Sequence, residues 1–295
     1  MRYLLPALAL ALLAAAPAKG TKGGKSASAA PAAAAAVAWP TPTSIVAADG
    51  QRLSANWARP ARAENAVVFV HGQDKSAAEW SALALKATQQ GLMVVTPDLR
   101  GHGTSALGHP LGPDDYRAMT QDVRAAVAFA RQGGAKKVAL VGGELGANLA
   151  IDVAAEDRAI ASVVGFSMGT NIKGVVASDA AKRFEPRPLL LVASSSDGFS
   201  LKSLPFLAPE GRGGTRVEIV DADGRGANLL GRDPKLENAV FGFLQASWVE
   251  RVEEAPRAEL NVAASRAVGP VQTSDVKPAV PPSTPAAPPA PAPAP

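Results

Sequence analysis

Lys137-Val138-Ala139-Leu140-Val141-Gly142-Gly143-Glu144-Leu145-Gly146-Ala147-Asn148-Leu149-Ala150 is the stretch on which the fold turns. Its first five residues form a short continuous apolar run, the pattern of a strand buried on both faces. Gly142, Gly143 and Gly146 bracket Glu144. From Glu144 to Ala155 the residues begin a helix well. A strand that turns sharply through glycine into a helix is the start of a βαβ unit.

The alternation continues on both sides of this stretch. Upstream, Asp49-Gly50 is a hairpin signal between Ser44–Ala48 and Leu53–Ala58. Ala66–Val70 (AVVFV) and Leu92–Thr96 read as buried strands. Ser76–Gln90 and Asp115–Arg131 read as helices; Trp80, Leu83 and Ala87 share one face of the first, and Gly91 ends it. Downstream, Ile160–Phe166, Pro188–Ala193 and Arg216–Val220 read as strands and Lys235–Val249 as the last helix. Strands alternating with helices this long predict an α/β fold, with a mostly parallel central sheet and helices on both faces. No insertion is long enough for a large lid domain. Such sheets place their chemistry at the carboxyl ends of the strands. The segments to inspect are therefore His71-Gly72, Asp98–Ser105, Gly142–Gly146, Gly165–Gly169, Asp197 and Asp223–Gly226.

The 295 residues divide by composition. Residues 1–18 read as a signal peptide, with Arg2 as the positive start, an apolar run from Leu4 to Ala16, and small residues at Ala16-Pro17-Ala18 for cleavage. The alternative is an uncleaved anchor; no other segment is suited to crossing a membrane. Residues 19–40 are a low-complexity linker, 41–254 one domain, and 255–295 a Pro/Ala-rich tail without the bulky apolar residues that offset the entropy of ordering. The expectation is an exported protein, periplasmic or extracellular. The tail, ending PPSTPAAPPAPAPAP, favours polyproline II; it suits a spacer, a ligand for a protein partner or a solubilising tail. The basic linker (Lys19, Lys22, Lys25) can touch cell-envelope components or stay solvated.

Composition also excludes. There is no cysteine, hence no disulfide, thiolate metal site or cysteine nucleophile. Net charge is +4, with acids and bases interspersed in the domain and no basic stripe interleaved with aromatics, so nucleic acid is not expected as a partner. No metal-ligand spacing, phosphate loop or dinucleotide fingerprint is complete, so neither a metal nor a cofactor is expected.

In order along the chain, five segments resemble the α/β-hydrolase fold superfamily, serine hydrolases and esterases among it. They are the strand ending in His71-Gly72; Pro97-Asp98-Leu99-Arg100-Gly101-His102-Gly103-Thr104-Ser105, similar to the family's D-x-R-G-x-G-x-S; Gly142–Gly146, similar to the nucleophile elbow G-x-S-x-G; Ser194-Ser195-Ser196-Asp197; and Gly224-Arg225-Gly226. The resemblance spans about residues 43–250. It implies Glu144 at the nucleophile position, Asp197 at the acid, Arg225 at the base, and the backbone N–H groups of Gln73 and Leu145 as oxyanion donors.

Two of these positions depart from the family. A carboxylate is a poorer nucleophile than an activated serine, and guanidinium stays protonated and cannot act as a base. The three histidines, His71, His102 and His109, all precede the elbow, so no shift of register restores the base. The reading is a degenerate triad and a pseudoenzyme with a binding or scaffolding role. The alternative is an active ester or amide hydrolase with a carboxylate-based mechanism, or one based on Ser167 in the literal Gly165-Phe166-Ser167-Met168-Gly169. Opposite charges at 144 and 225 further predict a Glu144–Arg225 ion pair with Asp197 near the same arginine.

Overall fold

The hairpin forms at Asp49-Gly50. Strand β1 (Thr41–Val46) runs antiparallel to β2 (Arg52–Ala58), and Gly50 takes φ 88°. In this computed structural model, residues 39–208 and 214–249 are described. The expected leader, the tail and all but the last two residues of the linker lie outside them.

Six further strands complete an eight-stranded sheet: β3 (Asn65–Val70), β4 (Met93–Pro97), β5 (Lys137–Gly143), β6 (Ile160–Phe166), β9 (Leu189–Ser194) and β10 (Thr215–Val220). Short strands β7 (Asn171–Ile172) and β8 (Val175–Val176) form a separate hairpin. The sheet order is β1-β2-β4-β3-β5-β6-β9-β10, antiparallel as far as β4 and parallel from there on. The helices are α1 (Ser81–Gln89), α2 (Pro113–Gln132), α3 (Leu145–Glu156), α4 (Ala177–Phe184), α5 (Gly198–Leu207) and α6 (Pro234–Trp248).

The sheet divides the interior into two cores. On β3, Val68 and Val70 pack with Met119 and Val123 of α2 and Leu149 of α3. Their neighbours Val67 and Phe69 face the opposite side, with Trp80, Leu83 of α1 and Val240 and Phe241 of α6. That alternation is the two-residue period of a strand buried on both faces. Each such side chain contributes about 1.5–3 kcal/mol when fully buried.

Three details differ from expectation. The helix expected at Ser76–Gln90 opens as a 3-10 turn, Ala77–Trp80, because the Ala77 N–H is committed at 2.7 Å to the Asp98 carboxylate across the sheet end. Helix α4 was hidden because three of its buried residues, Ala177, Ala180 and Ala181, are small and only Phe184 is bulky. Helix α5 starts at Gly198 and contains Pro205, both of which read as loop. Between β6 and β9 the chain holds only the β7–β8 hairpin and α4, which forms no large lid.

Candidate functional site

The turn from β5 into α3 is a strained one. Glu144 adopts φ 49°, ψ −113°, a region that a side chain enters at about 1–3 kcal/mol. Packing imposes it. A Cβ on Gly142 would lie 2.4 Å from the Gly146 carbonyl oxygen, and one on Gly146 would lie 2.3 Å from the carbonyl oxygens of Val70 and His71. Strands β3 and β5 and helix α3 thus meet backbone to backbone, and the Glu144 N–H is anchored at 2.8 Å to the Phe166 carbonyl. Leu145, first in α3, is fully buried; Gln73 is partly buried, and its side-chain amide donates to Asp74 at 3.0 Å.

Asp197 follows β9 and caps α5. Its carboxylate accepts from the Ser200 N–H at 3.2 Å and the Ser200 hydroxyl at 2.6 Å. Arg225 follows β10, and its Nε lies 3.3 Å from Asp197 Oδ2, with the arginine side chain 44% exposed against 3% for the aspartate. The guanidinium stands 5.7 Å above the Phe199 ring, a cation–π arrangement. The expected Glu144–Arg225 ion pair does not form. The long arginine side chain carries its charge outward, where Asp197, the Phe199 face and water all receive it. Glu144, Asp197 and Arg225 thus follow β5, β9 and β10 at one end of the sheet, and the ion pair among them is Asp197 with Arg225.

What meets Glu144 is a residue that sequence reading passed over. Glu79, in the 3-10 turn, reaches between the loop ends: its carboxylate accepts the Gly72 N–H at 2.7 Å, with the Ala227 N–H on its other side. A Cβ on Gly226 would stand 3.0 Å from Glu79 Oε1 and 3.5 Å from Glu144 Oε1, so the two carboxylates converge on one point. Burial, and after it the charge on Glu144, hold Glu79 above the ordinary carboxylate range; its backbone donors pull the other way. Its one sequence sign is an acid in the first turn after His71-Gly72. Nothing in the spacing joins it to a residue 65 positions later.

Ser167 lies at the end of β6, fully buried and at φ 50°. Its hydroxyl oxygen accepts the Gly226 N–H at 3.0 Å, and its own N–H goes to the Val192 carbonyl at 2.8 Å. It therefore ties β6 to the loop after β10, and no histidine stands beside its hydroxyl among these contacts.

The histidines and the Asp98–Ser105 stretch are scaffold. His71 accepts the Leu99 N–H on Nε2 at 3.0 Å, so its Nδ1–H donates to the Gly72 carbonyl at 2.8 Å. Burial pushes its pKa down to about 4, which keeps the ring neutral. His102 packs against it at 5.1 Å, and exposed His109 lies 3.7 Å from Asp115. Asp98 accepts from the Thr104 N–H at 2.8 Å while Ser105 returns its hydroxyl to the Asp98 carbonyl at 2.7 Å. Buried Arg100 engages Asp122 at 2.6 Å and Asp49 at 2.7 Å. Burial alone would lower the arginine's pKa, but these two acids raise it; on Asp122 burial outweighs the arginine, and its pKa is raised.

Among the described residues no cluster of three or more His, Cys, Asp or Glu is arranged to hold a metal, and no helix is long and apolar enough to cross a membrane.

This arrangement matches known proteins at the level of fold. A family model described as serine aminopeptidase, S33, matches residues 61–198, from before β3 through Asp197 but short of Arg225. No curated protein matches the chain. Among solved structures, the esterase Pf2001 of Pyrococcus furiosus aligns with a TM-score of 0.60 at 16% identity, covering 70% of this chain and 92% of that one. The α/β hydrolase GrgF from Penicillium sp. sh18 gives 0.60 at 15%, covering 70% and 98%. An α/β hydrolase from Novosphingobium aromaticivorans DSM 12444 gives 0.57 at 17%, also covering 70% and 98%. With the strand order, the strained turn after β5 and Asp197 after β9 in place, the chain has the α/β-hydrolase fold.

Proposed function

We propose that this chain is an exported, non-hydrolytic member of the superfamily, a pseudohydrolase with a binding or scaffolding role. The observation that carries the reading is the pairing at the base position: Asp197 holds Arg225, a side chain that cannot accept a proton, at 3.3 Å. General-base catalysis contributes about 10²–10⁴-fold, and the nucleophile position offers only the carboxylate of Glu144. The side chain of Glu79 occupies the space between Gly72 and the elbow, next to the backbone where an oxyanion would be received. Export rests on the Arg2 start, the apolar run and Ala16-Pro17-Ala18.

A second reading is a carboxylate-based hydrolase. It is favoured by the convergence of Glu79 and Glu144, one of them held above the usual range so that it carries a proton more readily. A short-chain chromogenic ester separates the two. The purified chain is expected to be silent, and the double variant Glu144→Ser with Arg225→His to turn over, because it supplies the nucleophile and the base that the proposed reading finds missing. Wild-type turnover that disappears on Glu144→Ala would establish the second reading instead.

A further inference from the structure

Strand β10 closes one side of the sheet and has no partner on its outer edge among the described residues. The Gly214 and Val220 carbonyls point inward, to the N–H groups of Leu189 and Ser195. By alternation, the N–H and C=O groups of Thr215, Val217 and Ile219 point outward from the sheet. Strand edges of this kind are commonly disrupted by proline, a bulge or a covering helix. Here β10 holds unbroken register with β9 from Thr215 to Val220 and contains no proline. On the strand itself, Val217 is 39% and Ile219 57% exposed.

We propose that a second copy of this chain pairs with this edge, β10 against β10 in antiparallel fashion, about a two-fold axis at Val217. The charges choose both partner and register. With the axis at Val217, Arg216 of each copy stands opposite Glu218 of the other, and Thr215 opposite Ile219. Moving the axis to residue 216 or 218 sets like charges against each other. The hydrogen-bonding geometry agrees with this choice. Val217 with Val217, and Thr215 with Ile219, become the hydrogen-bonded pairs. Arg216 with Glu218 becomes the non-hydrogen-bonded pair, whose Cα atoms come within about 4.5 Å and whose side chains are closest. In the single chain Arg216 and Glu218 already reach each other along the strand, so pairing exchanges these partners between copies and leaves neither charge alone. The result is one continuous sheet through the dimer, an isologous contact.

The test is mass in solution, by light scattering and sedimentation over a range of chain concentrations. The wild-type chain is expected to show twice the single-chain mass, Arg216→Glu to be reduced to the single-chain mass, and Arg216→Glu combined with Glu218→Arg to return to the dimer. Recovery by the exchanged pair separates pairing from mere damage to the strand. Register is read with Val217→Cys, which in a chain without other cysteines is expected to cross-link to itself under mild oxidation. A wild-type chain that stays single into the high micromolar range, or a dimer untouched by Arg216→Glu, overturns the proposal.

Discussion

The carboxylate of Glu79 faces that of Glu144 across Gly226, and burial together with that facing charge keeps Glu79 above the ordinary carboxylate range. A carboxyl group titrating higher in the folded chain than in the unfolded one binds its proton more tightly when folded. Its stabilising contribution is therefore complete below the unfolded value of 4.5 and is lost as the pH rises through the folded value. Urea unfolding from about pH 4 to 8 is expected to show this loss in the wild-type chain and not in Glu79→Gln. Equal slopes in the two chains would mean that Glu79 is not the titrating group.

Glu144→Gly tests the elbow. Glycine enters φ 49°, ψ −113° without strain, which relieves about 1–3 kcal/mol, while its extra freedom when unfolded returns about 0.5–1 kcal/mol. The variant also removes the charge facing Glu79. A net gain of about 1 kcal/mol is expected in chemical denaturation. Under the proposed pseudohydrolase reading, this gain comes with no loss of turnover.

His71 should oppose Glu79 in acid. Its folded pKa of about 4 lies below the unfolded value of 6.5, so its contribution is present above 6.5 and lost as the pH falls towards 4. The full loss corresponds to roughly 3 kcal/mol. Nitrogen-15 chemical shifts of the ring should report a neutral imidazole protonated on Nδ1 at pH 5. A ring already charged at that pH would contradict the buried hydrogen-bond assignment.

The fold was legible because apolar runs and glycine-marked turns are local signals. AVVFV and KVALV, short and bounded by turn residues, read as buried strands, and the glycines at 142, 143 and 146 pointed to a tight strand-to-helix turn. The same local logic placed Glu144, Asp197 and Arg225 at one end of the sheet. It did not give their pairing. Opposite charges at 144 and 225 suggested an ion pair, but side-chain length and solvent decide where a guanidinium goes, and neither is written in spacing. Glu79 was missed for a related reason. It enters the site from a 3-10 turn on the far side of the sheet end, and only the folded approach of Gly72, Gly143 and Gly226 gives it a role. Alanine-faced α4 and proline-bearing α5 were hidden because their residues resemble loop or tail composition.

Of the three positions that would make a triad, only 197 carries a residue with work to do whatever the chemistry around it. Asp197 caps α5 through both the Ser200 N–H and the Ser200 hydroxyl. Losing such a cap costs about 0.5–2 kcal/mol. Glu144 and Arg225 have no comparable tie to the first turn of a helix. An aspartate at this place therefore has a structural task that does not depend on any chemistry beside it, and its presence alone does not mark an enzyme.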